Sequence, residues 1–216
     1  MTNSTPSTTL IRLRLNSRHR EVARDLRDVH RMHRRVLDLF PSLQGDHRRS
    51  TANVLYRVEQ NNGSTVALVQ ADLPPDPDQL PTDYAIVDSI PLTGLLNRLD
   101  HNLSVRYRIV ANPVAIHTTP DGKKQRRWLR GEDALLWWQR RSTDAGLVTQ
   151  SVLLNEETLL TGRRDGDQRL KHGATRFEGT ATITDPDATR TAILTGIGKA
   201  RSYGCGLLSV APLAQE

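Results

Sequence analysis

The segment LIRLRL (residues 10–15), followed directly by NSRHREVARDLRDVHRMHRRVLDLFP (16–41), decides the fold because it places a strand immediately before a helix. Apolar and basic residues alternate strictly in the first segment, which predicts a half-buried strand with a basic outer face. In the second segment, apolar residues recur at spacings typical of an amphipathic helix, which Asn16 or Ser17 would cap and Pro41 would end. The apolar positions of this predicted helix are Val22, Leu26, Val29, Val36 and Phe40.

Three more strands are predicted in the first half of the chain. NVLYRVEQNNGSTVALVQA (53–71) contains two strand-like runs around Asn62 and Gly63, which is a strong hairpin signal. The proline-rich segment LPPDPDQLPTD (73–83) resists helix formation and is predicted as a loop. A further strand is predicted over YAIVDSIPL (84–92).

The second half repeats this order of elements. LSVRYRIVANP (103–113) alternates like the first strand, TPDGKK (119–124) is a turn, and GEDALLWWQRR (131–141) predicts a helix whose charges match its macrodipole. Trp137 and Trp138 on this helix are predicted core residues. The remaining predicted elements are strands at 148–154 and 175–184, a helix from Asp185 to Leu194, and a strand at 206–212. The sequence therefore predicts an α+β fold of two tandem ferredoxin-like (RRM-like) domains, 1–98 and 99–216.

The charge balance favours a polyanionic partner. The 216 residues contain 30 Lys plus Arg against 24 Asp plus Glu, a formal net charge of +6, and the sequence pI is about 10.0. A well-charged surface of an ordinary soluble protein would give a similar total, but the clustering of the basic residues favours nucleic acid.

Segments that direct a chain to or through a membrane are not predicted. The first ten residues are rich in Ser and Thr, and the next apolar stretch is interrupted by Arg12 and Arg14. No apolar run approaches the roughly 20 residues of a membrane span. The single cysteine, Cys205, excludes an internal disulfide and a cysteine-based zinc site, and we expect it to pack as a small apolar residue. These features predict a cytoplasmic protein.

Two histidines on the first predicted helix, His30 and His33, are the candidate chemical groups. At 100° per residue His33 falls in the middle of the apolar stripe, and His30 falls at its edge beside a basic face made by Arg27, Arg31 and Arg34. One interpretation is a hydrogen-bonded core histidine. A second is a zinc site, which the flanking arginines disfavour. A third is a catalytic imidazole that transfers protons at neutral pH while nearby cations stabilise charge on a phosphate.

The composition also indicates which kind of nucleic acid is bound. The chain has only three Trp, four Tyr and two Phe, and no strand carries aromatic residues in the pattern used to stack bases. A basic surface with few stacking platforms suits a structured RNA such as a hairpin. The basic residues Arg126, Arg127 and Arg130 are equally compatible with a solvated hairpin edge.

The segment GIGKARSYGCGLL (196–208) is a glycine-rich loop that leads into the last strand. A dinucleotide fingerprint would need a third glycine where Arg201 stands, and a P-loop would need Gly at Ile193 and Ser or Thr at Ala200. The glycines are therefore predicted to allow another close approach of backbone to a partner. They are Gly196, Gly198, Gly204 and Gly206.

Five segments together resemble the CasE (Cse3) endoribonucleases of type I-E CRISPR systems, which belong to the RAMP superfamily. In order they are DVHRMHRRVLDLFP, NVLYRVE, YRIVANP, FEGTATITD and GIGKARSYGCGLLSVAPL. They are spread over most of the chain, and the last is the most specific. The resemblance implies two ferredoxin-like domains and cleavage of CRISPR repeat RNA on the 3′ side of a stem-loop. It also implies no cofactor and no metal, and retention of the product within the Cascade complex beside its other subunits, notably the backbone-forming subunit.

The resemblance also implies roles for individual residues. The family's catalytic histidine matches His33; some members carry a tyrosine where this chain has His30, so His30 assists or another residue does. Contacts to RNA are predicted for Arg27, Arg31, Arg34, Arg163, Arg164, Arg169, Lys171, Arg176, Lys199 and Arg201. The basic stretch from Arg163 to Arg176 matches the region that grips the hairpin. With three glycines nearby and few apolar residues, this stretch is expected to lack stable packing until RNA binds.

The implied reaction is attack of a ribose 2′-OH on the adjacent phosphate, with His33 as general base or general acid. A DNA substrate lacks this nucleophile. The rival hypothesis is a non-catalytic subunit that only caps a guide RNA hairpin. His33 distinguishes the two, because a pure binding protein does not need a titratable group at that position.

Overall fold

The computed structural model describes residues 8–41, 52–61, 63–164 and 168–213. The strands of its first sheet are β1 (Thr9–Leu15), β2 (Leu55–Asn61), β3 (Ser64–Ala71) and β4 (Ala85–Pro91). This sheet is antiparallel with the strand order β2-β3-β1-β4. All four predicted strands of the first half are confirmed, and Ile11, Leu13 and Leu15 are buried as their alternation indicates. Asn62, in the predicted turn, lies outside the described residues.

The predicted long helix is two helices, α1 (Arg20–Leu26) and α2 (Val29–Asp38). The prediction of one helix capped by Asn16 or Ser17 is therefore wrong. His19 caps α1, with its ring nitrogen accepting from the backbone N–H of Glu21. Asp28 has an extended backbone, and its carboxylate accepts from the first backbone N–H groups of α2. An N-cap side chain of this kind ends one helix and starts the next, which the apolar periodicity alone does not reveal.

The proline-rich segment forms only a short 3-10 helix (Pro77–Gln79) before β4. A one-turn helix, α3 (Thr93–Leu96), follows β4 and leads into the second half. Leu92 and Leu99 flank α3, and both are buried in the core of the second half.

The second sheet has the strand order β11-β5-β10-β8, with β9 also paired to β10. Its elements are β5 (Ser104–Ala111), β8 (Leu147–Thr149), β9 (Leu153–Arg164), β10 (Gln168–Ile183) and β11 (Leu208–Pro212), with helices α4 (Gly131–Asp144) and α5 (Pro186–Thr195). In both sheets the first strand of the half lies inside the sheet: β1 lies between β3 and β4, and β5 lies between β10 and β11. This is the ferredoxin-like arrangement that the sequence predicted. Asp185 caps α5 as expected.

A small two-stranded sheet separates β5 from α4. It consists of β6 (Val114–Thr118) and β7 (Lys124–Trp128), joined by the predicted turn. Arg127 pairs with Asp133 at 3.1 Å, and the Arg130 guanidinium lies over the Trp128 ring at 4.1 Å. Arg126 and Arg127 are exposed, so the interpretation as a solvated hairpin edge stays compatible with the structure.

Each sheet covers its own apolar core. In the second core Trp138 and Phe177 stack at 5.5 Å with an interplanar angle of 16°. Trp137 and Trp138 are buried, which confirms their predicted place, and Cys205 is fully buried as expected. Burial raises the pKa of the Cys205 thiol to about 12.

A polar network joins the two halves around Arg57, whose side chain is 2% exposed. Its guanidinium donates to the carbonyl of Leu207 at 2.9 Å, the hydroxyl of Ser209 at 3.1 Å and the carboxylate of Glu59 at 2.8 Å. Arg108 of β5 also donates to Glu59. Burial opposes ionisation of Glu59, but the two guanidinium groups hold the pKa of its carboxyl below the ordinary value. A buried arginine with several partners of this kind fixes how the two sheets meet.

The basic stretch from Arg163 to Arg176 belongs to the β9–β10 hairpin. Its pairs run regularly from Arg164 with Gln168 to Thr158 with Ala174, so the expectation that it lacks stable structure is wrong for the described residues. Backbone ladder bonds and contacts with the rest of the protein hold it, although its side chains are polar. Residues 165–167, which include Gly166, lie outside the described residues.

None of the helices in the described segments has the length and apolar character needed to cross a membrane.

Candidate active site

The bend between α1 and α2 is the point where the β9–β10 hairpin meets the first half. One carboxylate oxygen of Asp28 accepts the backbone N–H groups of His30 and Arg31, at 2.9 and 3.2 Å. The other accepts the backbone N–H of Arg163 at 3.1 Å. A Cβ atom at Gly162 would lie 2.6 Å from the Asp28 carboxylate, so this close approach requires glycine. Asp28 therefore aligns the basic hairpin with the start of α2.

A second carboxylate, Asp25, joins the two short helices on their buried side. Its side chain is 2% exposed and accepts from the Tyr84 hydroxyl at 3.0 Å and from Arg35 at 2.9 Å. Arg31 also reaches it at 3.3 Å, and Arg35 additionally pairs with Glu21. Burial and the Asp25 charge raise the pKa of Tyr84, which keeps its hydroxyl protonated as a donor. This network sets the direction in which the side chains of α2 project.

His33 lies at the border of the buried face of α2 and is not central to it. The buried residues of this helix are Met32, Val36 and Leu37, whereas His33 is half-buried. Its ring meets the ring of Tyr203 edge to face, with centroids 6.1 Å apart and an interplanar angle of 69°. An imidazole in this position is oriented by a neighbour and only partly covered by the rest of the protein.

His30 lies in the first turn of α2, where this helix meets the β9–β10 hairpin. Both of its ring nitrogens are buried, and neither has a hydrogen-bond partner among the described residues. A buried polar atom without a partner is uncommon in a folded protein and costs stability. Such atoms are often explained by a ligand or by a catalytic role.

His172 on β10 joins the same group, although no sequence pattern singled it out. Its ring stacks on Tyr203 with centroids 4.9 Å apart and an interplanar angle of 17°. Burial, and then the nearby charge of Arg126, lower the pKa of His172, so the neutral form is favoured. Tyr203 is thus held between two imidazoles that come from different halves of the molecule.

The glycine-rich loop brings Tyr203 to this position. Tyr203 ends a short 3-10 helix (Arg201–Tyr203), after which Gly204 adopts a left-handed φ of 82°. The buried hydroxyl of Tyr56, on β2, lies 3.3 Å from the carbonyl of Ser202 and 3.4 Å from that of Val29, to either of which it can donate. A Cβ atom at Gly204 would lie 3.4 Å from the Tyr56 ring. The loop therefore packs its backbone against the first half.

Two basic residues of this loop behave differently. The Arg201 guanidinium donates to the carbonyls of Gly198 and Thr195, at 3.0 and 2.8 Å, and so closes the loop on itself. Lys199 is exposed. Of the two, Lys199 is the better placed to meet a phosphate, and a contact of Arg201 with RNA stays a prediction.

Most of the other predicted RNA contacts lie on one surface. A cleft of about 310 Å³ runs between the α1–α2 bend and the β9–β10 hairpin, lined by Arg27, Arg163, Arg169 and Lys171. Arg31, Arg34 and Arg164 are exposed on the same two elements. Arg176 is the exception, because its side chain is 16% exposed and lies 3.9 Å from Glu178 in the space between the two sheets.

Within the described parts of the chain, no three His, Cys, Asp or Glu side chains are grouped so that they could hold a metal ion.

Comparison with known proteins identifies relatives of the whole chain. The family model described as "CRISPR associated protein" matches residues 9–212. The CRISPR-associated endoribonuclease Cse3 of Thermus thermophilus is 30% identical over 216 residues, covering 94% of this chain and 99% of the relative. The CRISPR system Cascade subunit CasE of Escherichia coli strain K12 is 29% identical over 202 residues, covering 87% and 94%.

The fold has a close counterpart among solved structures. The structure of Thermus thermophilus Cse3 bound to an RNA representing a pre-cleavage complex is similar with a TM-score of 0.82 and 28% identity. The similarity covers 95% of this chain and 100% of that one.

Proposed function

The chain belongs to the CRISPR-associated protein family, and on that basis we propose that it is an endoribonuclease that processes precursor CRISPR RNA. The cleavage position that we propose is the 3′ base of the repeat hairpin. The observation that carries the proposal is the position of His33, half-buried with its ring against Tyr203, on the helix whose N-terminal bend forms a cation-lined cleft with the basic hairpin.

The proposed reaction needs only protein side chains. The 2′-oxygen of the nucleotide before the scissile bond attacks the phosphorus while its proton passes to a base, and the P–O5′ bond breaks as that oxygen gains a proton. The products are a 2′,3′-cyclic phosphate and a 5′-OH. His33 supplies one of these proton transfers, since an imidazole titrates near neutral pH. His30, whose buried ring nitrogens have no hydrogen-bond partner among the described residues, is the proposed assistant.

The proposed RNA stem lies on the basic face of the β9–β10 hairpin and the start of α2. The cations Arg27, Arg163, Arg169 and Lys171 line one cleft there. We assign the exposed Arg31 and Arg34 of α2 and Arg164 of β9 to the same face. Contacts of this kind neutralise phosphates and release counterions, so they give affinity with little dependence on sequence. The polar network of Asp28 fixes the distance between this surface and α2.

We further propose that the protein keeps the cleaved guide RNA as a subunit of a Cascade complex in the cytoplasm, in contact with the backbone-forming subunit. The name of the Escherichia coli relative, CRISPR system Cascade subunit CasE, supports this assignment. A single-turnover nuclease that remains on its product is compatible with a basic surface that binds the stem before and after cleavage.

The proposed domain boundary is near residue 98, dividing the chain into 1–98 and 99–216. Two separate apolar cores support this division. Leu92 packs on the second core, so the connection between the halves is short and rests on the second domain.

The direct test is incubation of the pure protein with an end-labelled repeat hairpin from the CRISPR array of its own organism. We expect one cut at the 3′ base of the stem and a 2′,3′-cyclic phosphate end. A hairpin with a single 2′-deoxyribose before the scissile phosphate should bind equally well and stay intact. Tight binding of the all-ribose hairpin without cleavage would instead identify a subunit that only caps the guide RNA.

A further inference from the structure

A cavity of about 450 Å³ lies between α2 and the two sheets, next to the candidate active site. Its apolar walls include Val29, Met32, Val58 and Leu160 together with the aromatic ring of Tyr203. Polar residues also line it: Asp25, Gln60, Thr158 and Arg176. A volume of this size, with an aromatic wall and both apolar and polar groups, suits a small planar ligand such as one nucleobase.

The cavity and His33 share a wall. Tyr203 lines the cavity and meets the His33 ring, while Val29 and Met32 lie on α2 one turn and one residue before His33. A group bound in the cavity is therefore a direct neighbour of a phosphate held at His33.

The wall made by Tyr203 is held rigidly before any ligand binds. His172 stacks on its ring at 4.9 Å, and the backbone of the neighbouring Ser202 lies within hydrogen-bonding reach of the Tyr56 hydroxyl. A preorganised aromatic wall loses little conformational entropy on binding, so it favours stacking of a base.

We propose that this cavity binds the nucleobase on the 3′ side of the scissile phosphate after that base has turned out of the RNA stack. The inference rests on the proposed cleavage at the 3′ base of the hairpin. Attack by a 2′-OH requires the 2′-oxygen, the phosphorus and the leaving 5′-oxygen to be nearly in line, which a continuous A-form stack prevents. The base beyond the stem is unpaired, so removing it from the stack costs less than opening a pair.

Capture of that base supplies the missing alignment. With the stem held on the basic hairpin and the next base held in the cavity, the phosphate between them is stretched across His33. Positioning of this kind contributes to the rate of the chemical step more than to ground-state binding. The Tyr203 wall accepts any of the four bases, because stacking depends little on base identity.

The test compares two RNA hairpins with the wild-type protein at saturating concentration. One is the normal repeat hairpin, and the other lacks only the base 3′ of the scissile phosphate. We expect the abasic RNA to bind nearly as well and to be cleaved at least about tenfold more slowly. Equal single-turnover rates on the two RNAs would overturn the inference, whereas cleavage of neither would refute the proposed function itself.

A pair of variants on β9 locates the effect in the cavity. Leu160→Trp fills the cavity from its wall, whereas Leu159→Trp is the matched control on the opposite, 50% exposed face of the same strand. Leu160→Trp should cleave the normal RNA at about the rate at which the wild type cleaves the abasic RNA. Its cleavage of the abasic RNA should be no slower than that of the wild type. Leu159→Trp should match the wild type on both. A wild-type rate for folded Leu160→Trp on the normal RNA, or an equal further loss on the abasic RNA, would place the base elsewhere.

Discussion

One carboxylate oxygen of Asp28 caps α2 while the other accepts the backbone N–H of Arg163, so a single side chain joins the helix of His33 to the basic hairpin. The first function is local and the second spans 135 positions of sequence. Loss of the Asp28 carboxylate should therefore affect both the stability of α2 and the placement of the proposed RNA-binding surface.

Two substitutions at Asp28 separate these functions. Asp28→Ala removes the cap and should lower the free energy of unfolding by about 1 kcal/mol. Asp28→Asn keeps a capping oxygen, but its amide nitrogen cannot accept from Arg163, so it should fold with near wild-type stability and cleave more slowly. Denaturant unfolding and single-turnover cleavage measure the two effects. Wild-type cleavage by Asp28→Asn would show that the Arg163 contact does not position the hairpin.

His33→Ala should abolish cleavage and leave hairpin binding nearly intact. General acid–base groups typically contribute about 10²–10⁴ in rate, while a neutral imidazole adds little affinity. Filter binding and single-turnover kinetics give the two quantities. His101→Ala, at an exposed histidine in a turn before β5, is the matched control and should behave as the wild type. A His33→Ala protein that loses its fold, its affinity and its activity together would make His33 a core residue.

Cleavage should survive removal of divalent ions. The proposed chemistry uses proton transfer and guanidinium groups, and the arginines around α2 disfavour a bound cation. Rates in excess EDTA should equal those in magnesium at matched ionic strength. Activity that disappears in the chelator and returns with magnesium would contradict the mechanism.

Replacing Arg163, Arg164, Arg169 and Lys171 together with Ala should weaken hairpin affinity and flatten its dependence on salt, because fewer counterions are released. The free energy of unfolding should change little, since exposed charges contribute little to stability. The chemical step at saturating protein should slow less than in His33→Ala. Fluorescence anisotropy over a range of salt concentrations measures the affinity and the slope of its logarithm against the logarithm of salt concentration.

The matched control for this variant removes the same charge elsewhere, by replacing Lys123, Lys124, Arg140 and Arg141, which are exposed on β7, its preceding turn and α4. This control variant should keep most of the wild-type dependence of RNA affinity on salt concentration. If the protein with the four substitutions in β9 and β10 instead keeps wild-type affinity for RNA and wild-type salt dependence of that affinity, the RNA lies elsewhere. The basic strand faces of Arg12 and Arg14 and of Arg106 and Arg108 are then the expected place.

His172 should make the folded protein less stable in mild acid. Burial, and then Arg126, lower its pKa, so the unfolded chain binds a proton that the folded protein does not. The wild type should therefore lose stability as pH falls below about 6.5, down to the folded-state pKa of His172. His172→Phe keeps an aromatic ring against Tyr203 but cannot titrate. Any stability advantage of the wild type over this variant should therefore shrink or reverse as the pH falls. Thermal unfolding of both proteins between neutral and mildly acid pH tests this, and parallel curves would contradict it.

Local patterns predicted most of the secondary structure correctly. Alternation identified β1 and β5, Gly63 with its neighbours marked the β2–β3 hairpin, and Asp185 with Pro186 marked the start of α5. The same reasoning missed the break between α1 and α2, because the apolar spacing continues across it. The available signal was Asp28, a residue type that favours N-caps, directly before Val29.

The candidate site was predictable only in part. The sequence placed His33 on a helix with basic side chains, as the structure has it, but Tyr203, which contacts His33, and His172, which stacks on Tyr203, come from segments far away in sequence. No periodicity relates positions so far apart, so only the folded chain reveals them. The basic stretch at 163–176 was recognised by charge, whereas its regular hairpin was not, because backbone pairing does not depend on apolar side chains.

By itself, the sequence determined the elements that short-range sterics and periodicity control: the strands, the turns, the cap of α5, and the repetition of one α+β unit in two halves. Tertiary structure alone decided how those halves meet. Arg57 occupies an ordinary strand position and becomes 2% exposed only because β11 and its loop cover it. Tyr203 reaches His33 only because the glycine-rich loop packs on Tyr56. Burial and contact between distant segments are properties of the whole packed chain, so no local pattern could have specified them.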